Sequence, residues 1–197
     1  MVLTGSGGGA DLFGGSVKKA MSVQKQECFA VTGGPGAGKS TLLAHLAMRG
    51  IAIAPDNARA VIQAEGVRPE PPLFCSLVLS RDIDAFHNAS GLTVFDRSLV
   101  DAWAMARVYG VELPEAAIAV RDLRFNGRAF IAPPWREIYR MDSERDQTWS
   151  DAVFAYEASL LAYQEAGYEL IELPRLDLPQ RVAFVVDRIK ATGQAVD

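Results

Sequence analysis

Between Phe29 and Thr41 the chain reads Phe-Ala-Val-Thr-Gly-Gly-Pro-Gly-Ala-Gly-Lys-Ser-Thr, and no other stretch restricts the possible folds as strongly. From Gly33 to Ser40 it follows the pattern G-x-x-x-x-G-K-S. An apolar run precedes it and a helix-compatible segment follows, the setting a phosphate-binding loop requires. Glycines at Gly33, Gly34, Gly36 and Gly38, with Pro35 and Ala37 between them, let successive backbone N–H groups turn toward phosphate oxygens. The helix that begins at Lys39 directs its positive end to the same place. Lys39 supplies a cation for the β and γ phosphates of ATP. Ser40 offers a hydroxyl to Mg²⁺, an ion that takes few protein ligands and completes its shell with water and phosphate oxygens. Thr41 completes the nucleotide-binding set.

Length bounds the rest. With 197 residues, 49% of them hydrophobic, the chain can bury one substantial core. A net charge of -4 gives no electrostatic reason to expect nucleic acid as a partner. No apolar run reaches the length of a membrane span, and no signal-peptide core is present near Met1, so a cytoplasmic protein is expected. Cys28 and Cys75 have neither paired spacing nor neighbouring histidines and read as buried apolar thiols. Residues 1–26, rich in glycine and poor in large apolar side chains, are expected to form a flexible tail, with a regulatory arm as the competing reading. Residues 27–197 form the folded domain.

Within that domain strands alternate with helices. Predicted strands lie at 28–31, 51–54, 92–97, 128–132 and 168–172. Between them, apolar residues recur at helical spacing over 39–49, near 58–62, 74–86, 99–108, 114–124 and 135–166, the last in one piece or two, with a closing helix over 182–189. The Pro-rich stretch 68–72 is expected to be a loop. This alternation implies a five-stranded parallel sheet with helices on both faces, an α/β fold whose ligands sit beyond the carboxyl ends of the strands.

That rule gathers the phosphate loop, Asp56 after the second strand, and Asp96-Arg97 after the third into one site. Asp96 ends the apolar run Thr-Val-Phe, the pattern of the second magnesium-organising motif. Its competing role is the N-cap of the helix that follows. Arg97 stands where many ATPases place a water-polarising glutamate; an arginine clamps a phosphoryl group but is no base, which favours transfer over hydrolysis. His45 and His87 lack partners at metal-ligand spacing. Trp103, Phe154, Tyr156 and Tyr163 fall within helical periods and read as core.

The phosphate loop, Pro55-Asp-Asn-Ala-Arg59, Phe95-Asp-Arg-Ser98 with Asp101, and Pro133-Pro-Trp-Arg-Glu-Ile-Tyr-Arg140 together resemble the bacterial AAA-type predicted ATPases. That group is related to the ribosylnicotinamide kinase domain and, more distantly, to deoxynucleoside and thymidylate kinases. The resemblance spans residues 28–190. It implies a nucleoside-kinase-like fold, with Asp56 facing the acceptor as a candidate base and Arg59 available to an anionic acceptor group. The pair's alternative role is a helix cap and an exposed charge. The resemblance also implies a helical lid over 133–147 that brings Arg136, Arg140 and Arg145 over the phosphates. A solvated helix paired with Glu137, Asp142, Glu144 and Asp146 is the alternative. Relatives contact the nucleotide base just after the last strand, where Arg175 lies. The expected activity is ATP- and Mg²⁺-dependent phosphoryl transfer to a small-molecule acceptor; a nucleotide-dependent switch acting through a protein partner is the second reading.

Overall fold

The structure is a computed structural model that describes residues 22–139 and 148–196. Its centre is the strand β2 (Cys28–Gly33), buried along its whole length. A strand covered on both sides reads as a near-continuous apolar run, and Cys-Phe-Ala-Val supplies it, with the buried Thr32 hydroxyl hydrogen-bonded to Asp101. Cys28 and Ala30 project into one hydrophobic cluster, Phe29 and Val31 into another on the opposite face. On either side of β2 run β4 (Thr93–Asp96) and β6 (Arg128–Ala132). The edges are β3 (Ala52–Ala54) and β7 (Glu169–Glu172), so the five-stranded sheet has the order β3-β4-β2-β6-β7 with every pairing parallel. Parallel neighbours need crossover connections, and helices provide them.

One face is covered by α1 (Lys39–Ala47) and α7 (Leu178–Lys190), through Leu42, Leu43 and Leu46 against Val182, Val185 and Ile189. The other carries α3 (Pro71–Asn88), α4 (Leu99–Val108), α5 (Pro114–Asp122) and α6 (Trp149–Glu165), with Val61 of α2 (Asn57–Glu65) at its margin. Aromatic rings fill that side: Phe125 meets Phe86 and Phe95 edge-on, at centroid distances of 5.0 Å and 4.9 Å. Cys28 and Cys75 are buried free thiols, and burial pushes both upward in pKa, Cys28 to about 11. Among the described residues no helix is long and apolar enough to cross a membrane.

Four segments depart from the sequence expectations. The stretch 68–72 is not all loop, because α3 begins at Pro71; two prolines fit its first turn, where no intrahelical N–H is required. The helix expected over 114–124 stops at Asp122, and β5 (Leu123–Arg124) becomes extended to pair with β1 (Val23–Gln24). That pairing also orders the end of the segment expected to be a tail. Lys25 donates its ammonium to the carbonyls of His87 and Ala89. The helix expected over 135–166 is shorter than its apolar period. It starts at Trp149 under a capping box in which Thr148 and Asp151 exchange hydrogen bonds, and 136–138 form a turn after Pro133-Pro134. Phe154, expected in the core, is 56% exposed and borders the cavity described next.

Candidate nucleotide and acceptor site

The loop between β2 and α1 takes the shape its glycines allow. Gly38 sits at φ 75° as the N-cap of α1, with no side chain capping the helix, so the first N–H groups of α1 are left for a ligand. At Gly34 the limit is space, since a Cβ there would stand 2.2 Å from the carbonyl oxygen of Ala152 at the start of α6. Lys39 is 7% exposed and donates its ammonium to the carbonyls of Gly33 (2.9 Å) and Gly34 (2.7 Å). Burial, and next the nearby Arg97 cation, push Lys39 down to about 7. Ser40 and Thr41 are exposed to the cavity.

This value carries a sign. Below about pH 7 Lys39 is already an ammonium in the free protein; above it, binding a polyanion must take up a proton. Mg-ATP affinity should therefore hold below about pH 7 and fall by up to about tenfold per unit above it. Calorimetry in buffers of different ionisation enthalpy checks this, and affinity that stays flat from about pH 6 to 8.5 would refute it.

Asp96 ends β4 beside the loop, 9% exposed, and its Oδ1 is buried without a hydrogen-bond partner. Burial raises its pKa, with Lys39 pulling the other way. The capping alternative does not hold, because Ser98 caps α4: its Oγ accepts from the Val100 N–H, and its own N–H donates to Asp101. The orphaned carboxylate oxygen of Asp96 and the cavity-facing hydroxyl of Ser40 fit Mg²⁺. No cluster of three or more acidic, histidine or cysteine residues is found among the described residues, so a bound Mg²⁺ would complete its shell with phosphate and water.

Among the described residues Arg97 is the non-glycine residue held at positive φ, 75°, a conformation that costs about 1–3 kcal/mol and persists only where surroundings over-determine it. The restraints are visible. Its N–H donates to the Val31 carbonyl at 3.0 Å, Nε lies 3.5 Å from Asp56 Oδ2, and Nη1 lies 3.3 Å from Asp101 Oδ1. Asp101 is fixed in turn by Thr32 Oγ1 and by Tyr163 Oη at 2.7 Å. Burial, which alone would lower the Arg97 pKa, is outweighed by Asp56, Asp101 and Asp96, which hold it above its ordinary value. Asp56 serves two ends: Oδ1 caps α2 by accepting from Ala58 and Arg59 N–H groups, and Oδ2 faces Arg97.

A cavity of about 1170 Å³ joins these groups. It runs from the loop residues 35–41 past Asp96 and Arg97 into a chamber between α2, α3, α4 and α6. Asp56 and Arg59 border that chamber, as does a residue sequence reasoning passed over. Asp82 of α3 is 8% exposed, accepts from Asn57 Nδ2 at 2.7 Å, and is pushed up by burial to about 7. A signal for it existed: Asp82 interrupts the apolar stripe Phe74, Val78, Phe86 at helical spacing. Arg181 of α7 was missed likewise, one turn before Val185 on that helix's buried face.

Other expected residues lie elsewhere. Arg175 is exposed and does not border the cavity. Arg136 is exposed, stacked on the Trp149 ring at 5.0 Å and outside the cavity wall, while Arg140 and Arg145 lie outside the described residues. The part of the expected lid that is described, 133–139, covers the loop with Ile138 and Tyr139, whose atoms would meet a Cβ at Gly38 and Gly36.

Loop, sheet order and strand-end carboxylates define a P-loop α/β protein. Residues 28–181 match the AAA domain family, and the chain belongs to it. Among curated proteins, none matches in sequence. In fold the chain is similar to the NadR protein in complex with NR, at 18% identity and TM-score 0.71 over 86% of this chain and 52% of that one. It is similar also to the NadR protein in complex with NAD and AMP-PNP, at 17% identity and TM-score 0.66 over 86% and 50%. Shikimate kinase from Aquifex aeolicus follows, at 13% identity and TM-score 0.55 over 84% of this chain and 98% of that chain. The chain thus spans about half the length of the NadR chains it matches. The expected kinase-like P-loop fold is borne out.

Proposed function

We propose that this chain binds Mg-ATP on residues 33–41 and transfers its γ-phosphoryl group to a hydroxyl of a small-molecule acceptor held between α2, α3 and α4. The observation that carries this reading is the continuity of the cavity: one space runs from the phosphate loop to a chamber edged by Asp56 and Asp82, with Arg97 at the junction. A protein that only hydrolyses ATP needs no such second chamber. The NadR structures in complex with NR and with NAD and AMP-PNP, and the shikimate kinase likeness, support the same reading.

In the transfer, Asp56 Oδ2 accepts the proton of the acceptor hydroxyl as its oxygen bonds to the γ phosphorus. The bond from that phosphorus to the β–γ bridging oxygen breaks, and ADP leaves with the electron pair. Arg97, positioned by Asp56 and Asp101, and Lys39 meet the charge that spreads over the transferred group. Ser40 and Asp96 would hold Mg²⁺, which neutralises phosphate charge.

The test is a screen of nucleosides, vitamins and sugars for acceptor-stimulated ADP release, followed by Asp56→Asn. Asparagine preserves the cap of α2 but cannot take the proton. Acceptor-dependent kcat should fall by about 100- to 10,000-fold with Mg-ATP affinity little changed. If no acceptor stimulates release and Asp56→Asn hydrolyses ATP at the parental rate, the switch reading replaces this one.

A further inference from the structure

Among the described residues Arg181 is a buried cation with no carboxylate beside it. It lies in the first turn and a half of α7, 4% exposed. Its Nη2 donates to the Ala37 carbonyl at 3.1 Å, and Nη1 approaches Gly38 so closely that a Cβ there would stand 2.7 Å from it. The guanidinium carbon lies 5.6 Å from the centre of the Trp135 ring. Nε is buried with no hydrogen-bond partner, and no carboxylate pairs with the side chain among the described residues. Burial lowers its pKa, with no acidic neighbour raising it.

An ionised side chain held in this way is expensive unless something supplies the opposite charge. The other buried or half-buried cations beside the loop have carboxylates near them: Asp96 lies near Lys39, and Arg97 has two. Arg181 borders the same cavity at the opposite end of the loop. Lys39 reaches back to Gly33 and Gly34, whereas Arg181 stands at Ala37 and Gly38, where the uncapped N-terminus of α1 also faces the cavity. The two cations therefore bracket the loop.

We infer that Arg181 is a phosphate ligand of the nucleotide, pairing with the diphosphate portion that ATP and ADP share, and that its counter-ion arrives only with the nucleotide. The inference rests on the nucleotide reading above and adds a residue to it. A brace that merely holds the Ala37 carbonyl would use one of the guanidinium's donors, whereas the unpartnered Nε and the missing carboxylate both point to an anion.

The two roles separate in the free protein. Removing an uncompensated buried charge does not destabilise a fold, and removing a brace does. In Arg181→Met, which keeps a long buried side chain without the charge, the melting temperature of the nucleotide-free protein should be unchanged or higher. ADP and Mg-ATP should bind about 10- to 100-fold more weakly, the scale of one charge-assisted contact. Arg181→Lys should recover part of the loss. Calorimetry with ADP, beside melting of the free protein, reads both. A lower melting temperature in Arg181→Met assigns the side chain to bracing and overturns the inference, as does ADP affinity within about threefold of the parent. If the parent itself binds no ADP, the nucleotide reading fails first, and the inference with it.

Discussion

Replacing Lys39 by alanine should raise the Kd for Mg-ATP by about 100-fold or more, or about 3 kcal/mol, while the fold survives. Lys39 is 7% exposed, and its ammonium donates to two loop carbonyls at the border of the cavity rather than forming an ion pair within the core. In the free protein burial already works against its charge. A bound polyphosphate would reverse that balance, so the lysine's contribution belongs to the complex. Calorimetry with Mg-ATP, together with melting of the free variant, checks the prediction. Unchanged affinity would remove the loop from the functional account.

Asp96→Asn should separate magnesium from nucleotide. Its carboxylate is buried, and one oxygen has no partner, so an amide of the same shape can be accommodated without disturbing α4, which Ser98 caps. Mg²⁺, however, prefers an anionic oxygen. Magnesium-dependent ATP affinity or turnover should drop by about 100-fold, whereas binding measured in the presence of a chelator should change by about threefold at most. Equal losses with and without magnesium would make Asp96 a structural residue of the strand end.

Much of the site was legible because it is local. The phosphate loop is a run of consecutive residues whose chemistry is written in their order, and Asp96-Arg97 was found because a parallel sheet delivers its strand ends to one place. The inner strands β2, β4 and β6 were legible as short apolar runs because they are buried, and the edge strands β3 and β7, which are partly exposed, were legible from the alternation with helices. The helix expected over 135–166 was misjudged because apolar recurrence there does not show where capping starts. Thr148 and Asp151 set that boundary. The extended turn at Leu123 answers to a partner strand 100 residues earlier, which no local pattern reports.

Asp82 and Arg181 mark the limit more sharply. Each is a charge within a buried helical stripe, visible as an irregularity in the sequence. Its meaning depends on what stands opposite: for Asp82, Asn57 and the chamber between α2, α3 and α4; for Arg181, the Ala37 carbonyl and, among the described residues, no carboxylate. The two-sided position of Asp56 is of the same kind: sequence offered cap and acceptor contact as alternatives, and the structure shows one oxygen capping α2 and the other facing Arg97. The amino-acid order by itself determined the phosphate loop, the alternation of strands and helices, and the acidic strand ends, because these follow from neighbours along the chain. Only the tertiary structure decided which buried charges have partners, because a counter-ion can be contributed by any segment and the desolvation that makes it necessary exists only once the core has closed.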